Sequence, residues 1–253
     1  MHTEIQLEFT ETTAVLKLVP PPGKPPTLDH ASLAGLDAAL DAIIARNPRC
    51  VVLRSAEPKY FCVGANINHL KETNAETIVP WCMAGHRVLS RIESLPCPVL
   101  AEVRGFAMGG GLELAMACDV IYATPETRFA QSEAALGFIP GWGGTRRLVR
   151  RVGLSKAKHL YFTGATVTGT EALAIGLAEL VVPAENLTAA VGDFTAAVAR
   201  NDASALRTFK RLVHEPLLLE RDRCAAAEAQ ASRSCLENPD TIERLHQFLN
   251  QRK

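Results

Sequence analysis

Residues 98–123 constrain this chain most. An apolar run, PVLAEV, passes through Gly105-Phe106-Ala107-Met108-Gly109-Gly110-Gly111 into LELAMA, and a second apolar run, CDVIYA, follows at once. The two runs read as buried strands and LELAMA as a helix, so a glycine-rich turn joins strand directly to helix. Strand, loop, helix, strand is the rhythm of an α/β core in which a sheet carries helices on its outside.

The flanking sequence continues the pattern. EIQLEF and AVLKL, around the polar turn TETT, predict two short strands. PPPGKPP cannot be helix or central strand. Asp29 then suits the cap of a helix from His30 to Arg46, with Leu33, Leu36, Leu40 and Ile43/Ile44 on one face. CVVLRS predicts another buried strand, and residues 75–94 a helix. From about residue 145 the chain reads as mostly helical, with no convincing strand after Arg200. The expected division is an α/β core over residues 1–199 and a helical region over 200–253, which packs on its own core or on a neighbouring subunit.

Charge and composition exclude several classes of function. Lysine plus arginine and aspartate plus glutamate both number 27, so the basic excess of a nucleic-acid binder is absent, although a local basic patch for a small anion stays open. No run approaches the roughly 18 apolar residues that span a bilayer, and the N-terminal residues alternate like a strand instead of forming a signal peptide. A soluble, cytoplasmic protein without membrane partners is expected. The 7 cysteines include no CxxC pair, and several lie in apolar runs, which predicts reduced structural thiols. No HExxH or similar spacing exists among the histidines, so no metal is expected.

Chemistry concentrates at the glycines. Three in succession before a helix leave backbone N–H groups unhindered for a phosphate or a transient oxyanion. GxxxxGK[ST] is absent and the spacing is not GxGxxG, so neither nucleotide fingerprint applies. The glycines could equally serve only a tight turn. Glu113 follows in the first helical turn, among Leu112, Leu114, Ala115 and Met116; it is either a surface charge at a helix start or a carboxyl held in a pocket. Glu133 sits in RFAQSEAALG, again among small and apolar residues. Two carboxyls beside one anion hole suit general acid/base work.

The segments YFCVGANI, VRGFAMGGGLELAMACDVIYA, FAQSEAALGFIPGWGGTRRL and GLSKAKHLYFTGATVTGTEALAIGLAELVVP, in this order, resemble the crotonase superfamily and within it the enoyl-CoA hydratases. The resemblance covers nearly the whole chain. It implies an α/β spiral of ββα units, a C-terminal helical trimerisation region, and homotrimers that often pair into hexamers. It implies an acyl-coenzyme A substrate and no cofactor beyond the coenzyme A that the substrate carries. Matched residue by residue, the backbone N–H groups of Ala65 and Gly110 would form the oxyanion hole. Glu113 and Glu133 would be the catalytic pair that adds water across the α,β double bond. Lys24, Asn66, Ile67, Gly109 and Gly141 are further candidates for substrate or coenzyme contact.

Asn66 stands where many hydratases carry aspartate, and residues 23–29 replace an NALN-like stretch beside the coenzyme, so substrate identity is less defined than reaction class. Isomerisation of an enoyl-CoA, hydration of a cyclic dienoyl thioester and non-catalytic acyl-CoA binding are the competing readings. Trp81, Met83 and His86 are candidates for the acyl pocket or for plain packing, and His69 for the pocket or a solvated loop. Arg146, Arg147, Arg150 and Arg151 are expected at the surface or a subunit contact.

Overall fold

The computed structural model describes residues 2–66 and 77–214. The chain opens with β1 (Glu4–Phe9) and β2 (Thr13–Val19), paired antiparallel from Glu4↔Val19 to Phe9↔Ala14. α1 (His30–Arg46) follows, starting where the sequence predicts. Asp29 accepts from the Ser32 N–H at 2.9 Å, and Ser32 Oγ accepts from the Asp29 N–H at 2.7 Å, a reciprocal capping box. Asp29→Ala should cost about 1 kcal/mol, read as a lowered urea midpoint at unchanged slope; an unchanged midpoint would mean that tertiary packing alone sets the helix start. Leu33, Leu36, Leu40 and Ile43 face the core, whereas Ile44 is 49% exposed and leaves the predicted face.

Two sheets then grow together. β3 (Cys50–Ser55) pairs parallel with β2, and β4 (Tyr60–Cys62) starts a second sheet before α2 (Ile78–Glu93) returns over the first. The next turn repeats this with β5 (Val99–Val103), β6 (Phe106–Met108) and α3 (Gly110–Met116). β7 (Val120–Ala123) and β8 (Arg128–Ala130) follow, and a 3-10 turn at Glu133–Leu136 takes the helical place. This is a spiral of ββα turns, as the resemblance implies.

α4 (Gly144–Val152) and α5 (Leu154–Thr163) come next, then β9 (Thr166–Thr168), α6 (Gly169–Ala174) and β10 (Leu180–Val181). The stretch after residue 145 therefore contains two strands that the sequence reading missed; at two and three residues they are too short to show a period. The larger sheet runs β1-β2-β3-β5-β7-β10 and the smaller β4-β6-β8-β9. α7 (Ala184–Arg200) covers Val52 and Leu100 on the larger sheet, and α8 (Ala203–His214) ends the described chain. Most of the expected helical region, 215–253, lies outside the described residues.

Burial follows from this layering. Phe61 and Phe129, from the smaller sheet, are fully enclosed in the same cluster as Leu16 and Leu53 of the larger one. The glycine-rich segments leave the smaller sheet at its β4 and β6 ends, beside each other, because β4 and β6 pair parallel with Cys62 opposite Ala107.

Candidate active site

Two backbone donors meet where β4 and β6 end. Gly64 has φ +95°, and a Cβ there would lie 2.9 Å from Met108 O and 3.0 Å from Gly110 N, so only glycine lets the segments approach. Beyond it, the Leu28 N–H donates to Gly64 O and the Asn66 N–H donates to Leu28 O, both at 2.8 Å. A parallel bridge of this kind uses residues 64 and 66 and turns the N–H of Ala65 to the other side. Gly110 opens α3, so its N–H has no acceptor within the helix.

Glu113 lies one turn into α3, its N–H donating to Gly109 O at 3.0 Å. Its side chain is 2% exposed, which rules out a surface charge at the helix start. Oε1 accepts from the Trp142 N–H at 2.8 Å and the Gly144 N–H at 2.7 Å. Burial raises its pKa to about 7 against the pull of these two donors; the nearby Glu133 charge adds to the rise and Arg147 opposes it. A carboxyl near 7 is balanced between base and acid at neutral pH.

Glu133 reaches the same place from the 3-10 turn after β8. Its Oε1 accepts from Gln131 Nε2 at 2.7 Å, while Oε2 is buried without a hydrogen-bond partner. Burial raises this pKa too. Gln131 is itself 1% exposed, and its Oε1 is equally unpartnered. Gly109 lies against the Glu133 carboxyl: its φ is +50°, and a Cβ there would stand 3.2 Å from Glu133 Oε1. A buried carboxyl, Glu113, and a half-buried one, Glu133, thus stand beside the Ala65 and Gly110 donors, and Glu133 keeps one enclosed oxygen ready to accept or give a proton.

The profile of the enoyl-CoA hydratase/isomerase family matches residues 8–253. The chain belongs to this family. It is 36% identical to the short-chain-enoyl-CoA hydratase of Clostridium acetobutylicum over 203 residues, covering 80% of this chain and 78% of that protein. It is 33% identical to the crotonyl-CoA hydratase of Syntrophomonas wolfei over a 256-residue alignment spanning 100% of this chain and 97% of the relative. Among solved structures, an enoyl-CoA hydratase from Bacillus anthracis superposes with a TM-score of 0.92 at 30% identity, over 98% of this chain and 96% of that one.

In this member of the enoyl-CoA hydratase/isomerase family, the other singled-out residues separate into groups. Gly109 donates its N–H to Ala130 O at 2.8 Å, so it seats Glu133 and has no free donor for a ligand. A side chain at Gly141 would press on Cys82 Sγ at 3.2 Å, at the start of the loop that clamps Glu113. Lys24 is exposed on a turn closed by its own N–H to Pro21 O at 3.0 Å. Asn66 is half-buried. Ile67 and His69 lie outside the described residues.

Trp81 is buried, edge-on to Trp142 with ring centroids 5.2 Å apart, whereas Met83 is 62% exposed. The arginine cluster needs correction. Arg147 is 3% exposed and pairs with Glu93 at 3.0 Å, so it is an interior residue, because a carboxylate waits for it at the end of α2.

Three contributors had escaped notice. The Trp142 and Gly144 N–H groups have no side-chain signature, although Gly143-Gly144 before a helix is the same signal that marked Gly109–Gly111. Gln131 stood two residues before Glu133. Among the described residues Cys50, Cys62, Cys82, Cys97 and Cys118 are free thiols, and burial pushes Cys62 and Cys118 up to about 12. Among the described residues no helix is long and apolar enough to cross a membrane.

Proposed function

We propose that this chain hydrates the α,β double bond of a short-chain enoyl-CoA thioester through Glu113 and Glu133. The thioester carbonyl oxygen is held between the N–H groups of Ala65 and Gly110, where it gains charge as an enolate develops. A water molecule lies between the carboxyls. Glu113, as carboxylate, takes a proton from the water as its oxygen bonds the β-carbon. Glu133, as acid, delivers a proton to the α-carbon, and the product is a 3-hydroxyacyl-CoA. One proton gained and one lost leaves the pair's total charge unchanged but its proton on Glu113 instead of Glu133, and transfer of that proton back, through solvent, resets the site.

The observation that carries the reading is the pairing of buried Glu113, fixed through one oxygen by two N–H groups, with half-buried Glu133, which keeps one enclosed, unpartnered oxygen. The short acyl chain follows the names of the two relatives described above. Lys24, Asn66, Ile67 and Gly141 are kept as contacts for coenzyme A or the loop around it, no other cofactor is invoked, and Gly109 acts through Glu133. Residues 200–253 are assigned to trimer or hexamer assembly, and the buried reduced thiols suit the cytoplasm.

The test is the loss of conjugated-thioester absorbance with crotonyl-CoA, followed against pH. Turnover to the 3-hydroxy product is expected. Its kcat/KM should rise with pH as Glu113 ionises near 7 and fall again once Glu133 has lost the proton it must deliver, and the apparent values belong to the coupled pair. A product with a displaced double bond, or no turnover of crotonyl-CoA or longer thioesters, would overturn the reading.

A further inference from the structure

Glu113 is aligned by a loop, residues 141–144, whose own side chains do not bind the carboxyl. Both donors to Oε1 are peptide N–H groups, and Gly143 between them has φ +103°. Something else must hold these peptides still. Arg147, one turn into α4, donates through Nη1 to Trp142 O at 2.6 Å and through Nη2 to Glu93 Oε2 at 3.0 Å. Its guanidinium lies directly against the loop, for a Cβ on Gly143 would come within 2.5 Å of Nη1.

We propose that Arg147, anchored by Glu93, is a positioning residue for hydration, holding the 142–144 peptides so that two N–H groups converge on Glu113. The inference rests on the hydration mechanism above and adds a residue that touches neither substrate nor water. A planar fork suits the task because it bonds two acceptors in fixed directions; the single ammonium of lysine does not. The anchor is itself held: Glu93 also pairs with Arg146, with Arg150 at 3.8 Å, and with His214 Nδ1 of α8 at 3.6 Å. Burial works to raise the pKa of Glu93, but Arg147 and Arg146 outweigh it and hold the group below the usual carboxylate range.

The charge of Arg147 acts in the same direction as its hydrogen bond. It favours ionised Glu113, as do the two N–H donors that it steadies. The other titratable groups around this place are Glu133 beyond Gly109, Cys82 and His86 from α2, and Arg146 from α4. His86 lies near Gly143, and burial, then Arg147 and Arg146, hold it towards the neutral form.

The experiment compares Arg147→Met and Arg147→Lys with Arg151→Met. Arg151 lies on the same helix and is similarly paired, to Glu179 at 2.8 Å and Cys118 O at 2.6 Å, without touching the loop. Glu113 is titrated directly by NMR of 13C-labelled glutamate, which needs no turnover and so separates failure of this inference from failure of the hydratase reading. In Arg147→Met the Glu113 titration should move to higher pH. In both Arg147 variants kcat for crotonyl-CoA should fall by about 10- to 100-fold, the scale of a small misplacement, with KM within about threefold. Arg151→Met should move neither. A Glu113 titration unmoved in Arg147→Met, or equally moved in Arg151→Met, would overturn the proposal; if Arg147→Met does not fold, undiminished kcat in Arg147→Lys would do the same.

Discussion

Glu113→Gln should lower kcat for crotonyl-CoA by about 100- to 10,000-fold, the range for a lost general base, with the fold intact. The amide keeps the shape of the acid, and its carbonyl oxygen can still accept from the Trp142 and Gly144 N–H groups. What disappears is the affinity for a proton. Stability should move the other way. The folded chain raises this pKa from 4.5 to about 7, so ionisation is harder in the folded than in the unfolded state. The wild type therefore loses stability as pH rises through that window and stays at the lower level above it. The neutral amide escapes this loss, so at pH 8 the variant should match or exceed the wild type in urea melts while nearly all turnover is gone. A variant that is both unstable and weakly active would point to a structural carboxyl.

Gly64→Ala carries the second large effect, and through a different part of the site. The added methyl would meet Met108 O at 2.9 Å and Gly110 N at 3.0 Å, in a backbone conformation of φ +95° that alanine rarely adopts. Relief requires the Gly64–Ala65 segment to move away from Gly110, which separates the two donors. Losing one donor of an oxyanion hole costs about 100- to 1,000-fold in kcat. The clamp on Glu113 belongs to the 142–144 loop, so the acid limb of the pH profile should stay in place. Activity within a few-fold of wild type would mean that the carbonyl oxygen is held elsewhere.

The two sheets differ in how far the sequence discloses them. Cys50–Ser55 and Val99–Val103 lie mostly buried on both faces and read as continuous apolar runs, and the Asp29 cap announces α1. The smaller sheet has strands of three residues each: Tyr60–Cys62, Phe106–Met108, Arg128–Ala130 and Thr166–Thr168. Three residues cannot display an alternation, and glycines beside them read as turn. Only the resemblance to a known family suggested the second strand of each ββα turn.

The site divides in the same manner. Glu113 was legible as a carboxyl among apolar neighbours after a glycine-rich turn, and Glu133 as a second carboxyl among small and apolar residues. Their environment was not. The N–H donors of Trp142 and Gly144 have no side-chain signature, and nothing local distinguishes Arg147 from Arg146, Arg150 or Arg151. Arg147 is interior because Glu93, more than fifty residues earlier, ends α2 beneath it.

The claim at the centre is that Glu113 and Glu133 act as one unit on one water. Its most direct measurement is kcat for crotonyl-CoA in Glu113→Gln, Glu133→Gln and the double variant, read as a cycle. Groups that share a single proton-transfer event are strongly non-additive. The double variant should therefore lie within about tenfold of the slower single variant. A double variant slowed by the full product of the two single losses, or single variants that turn over like wild type, would contradict the shared site.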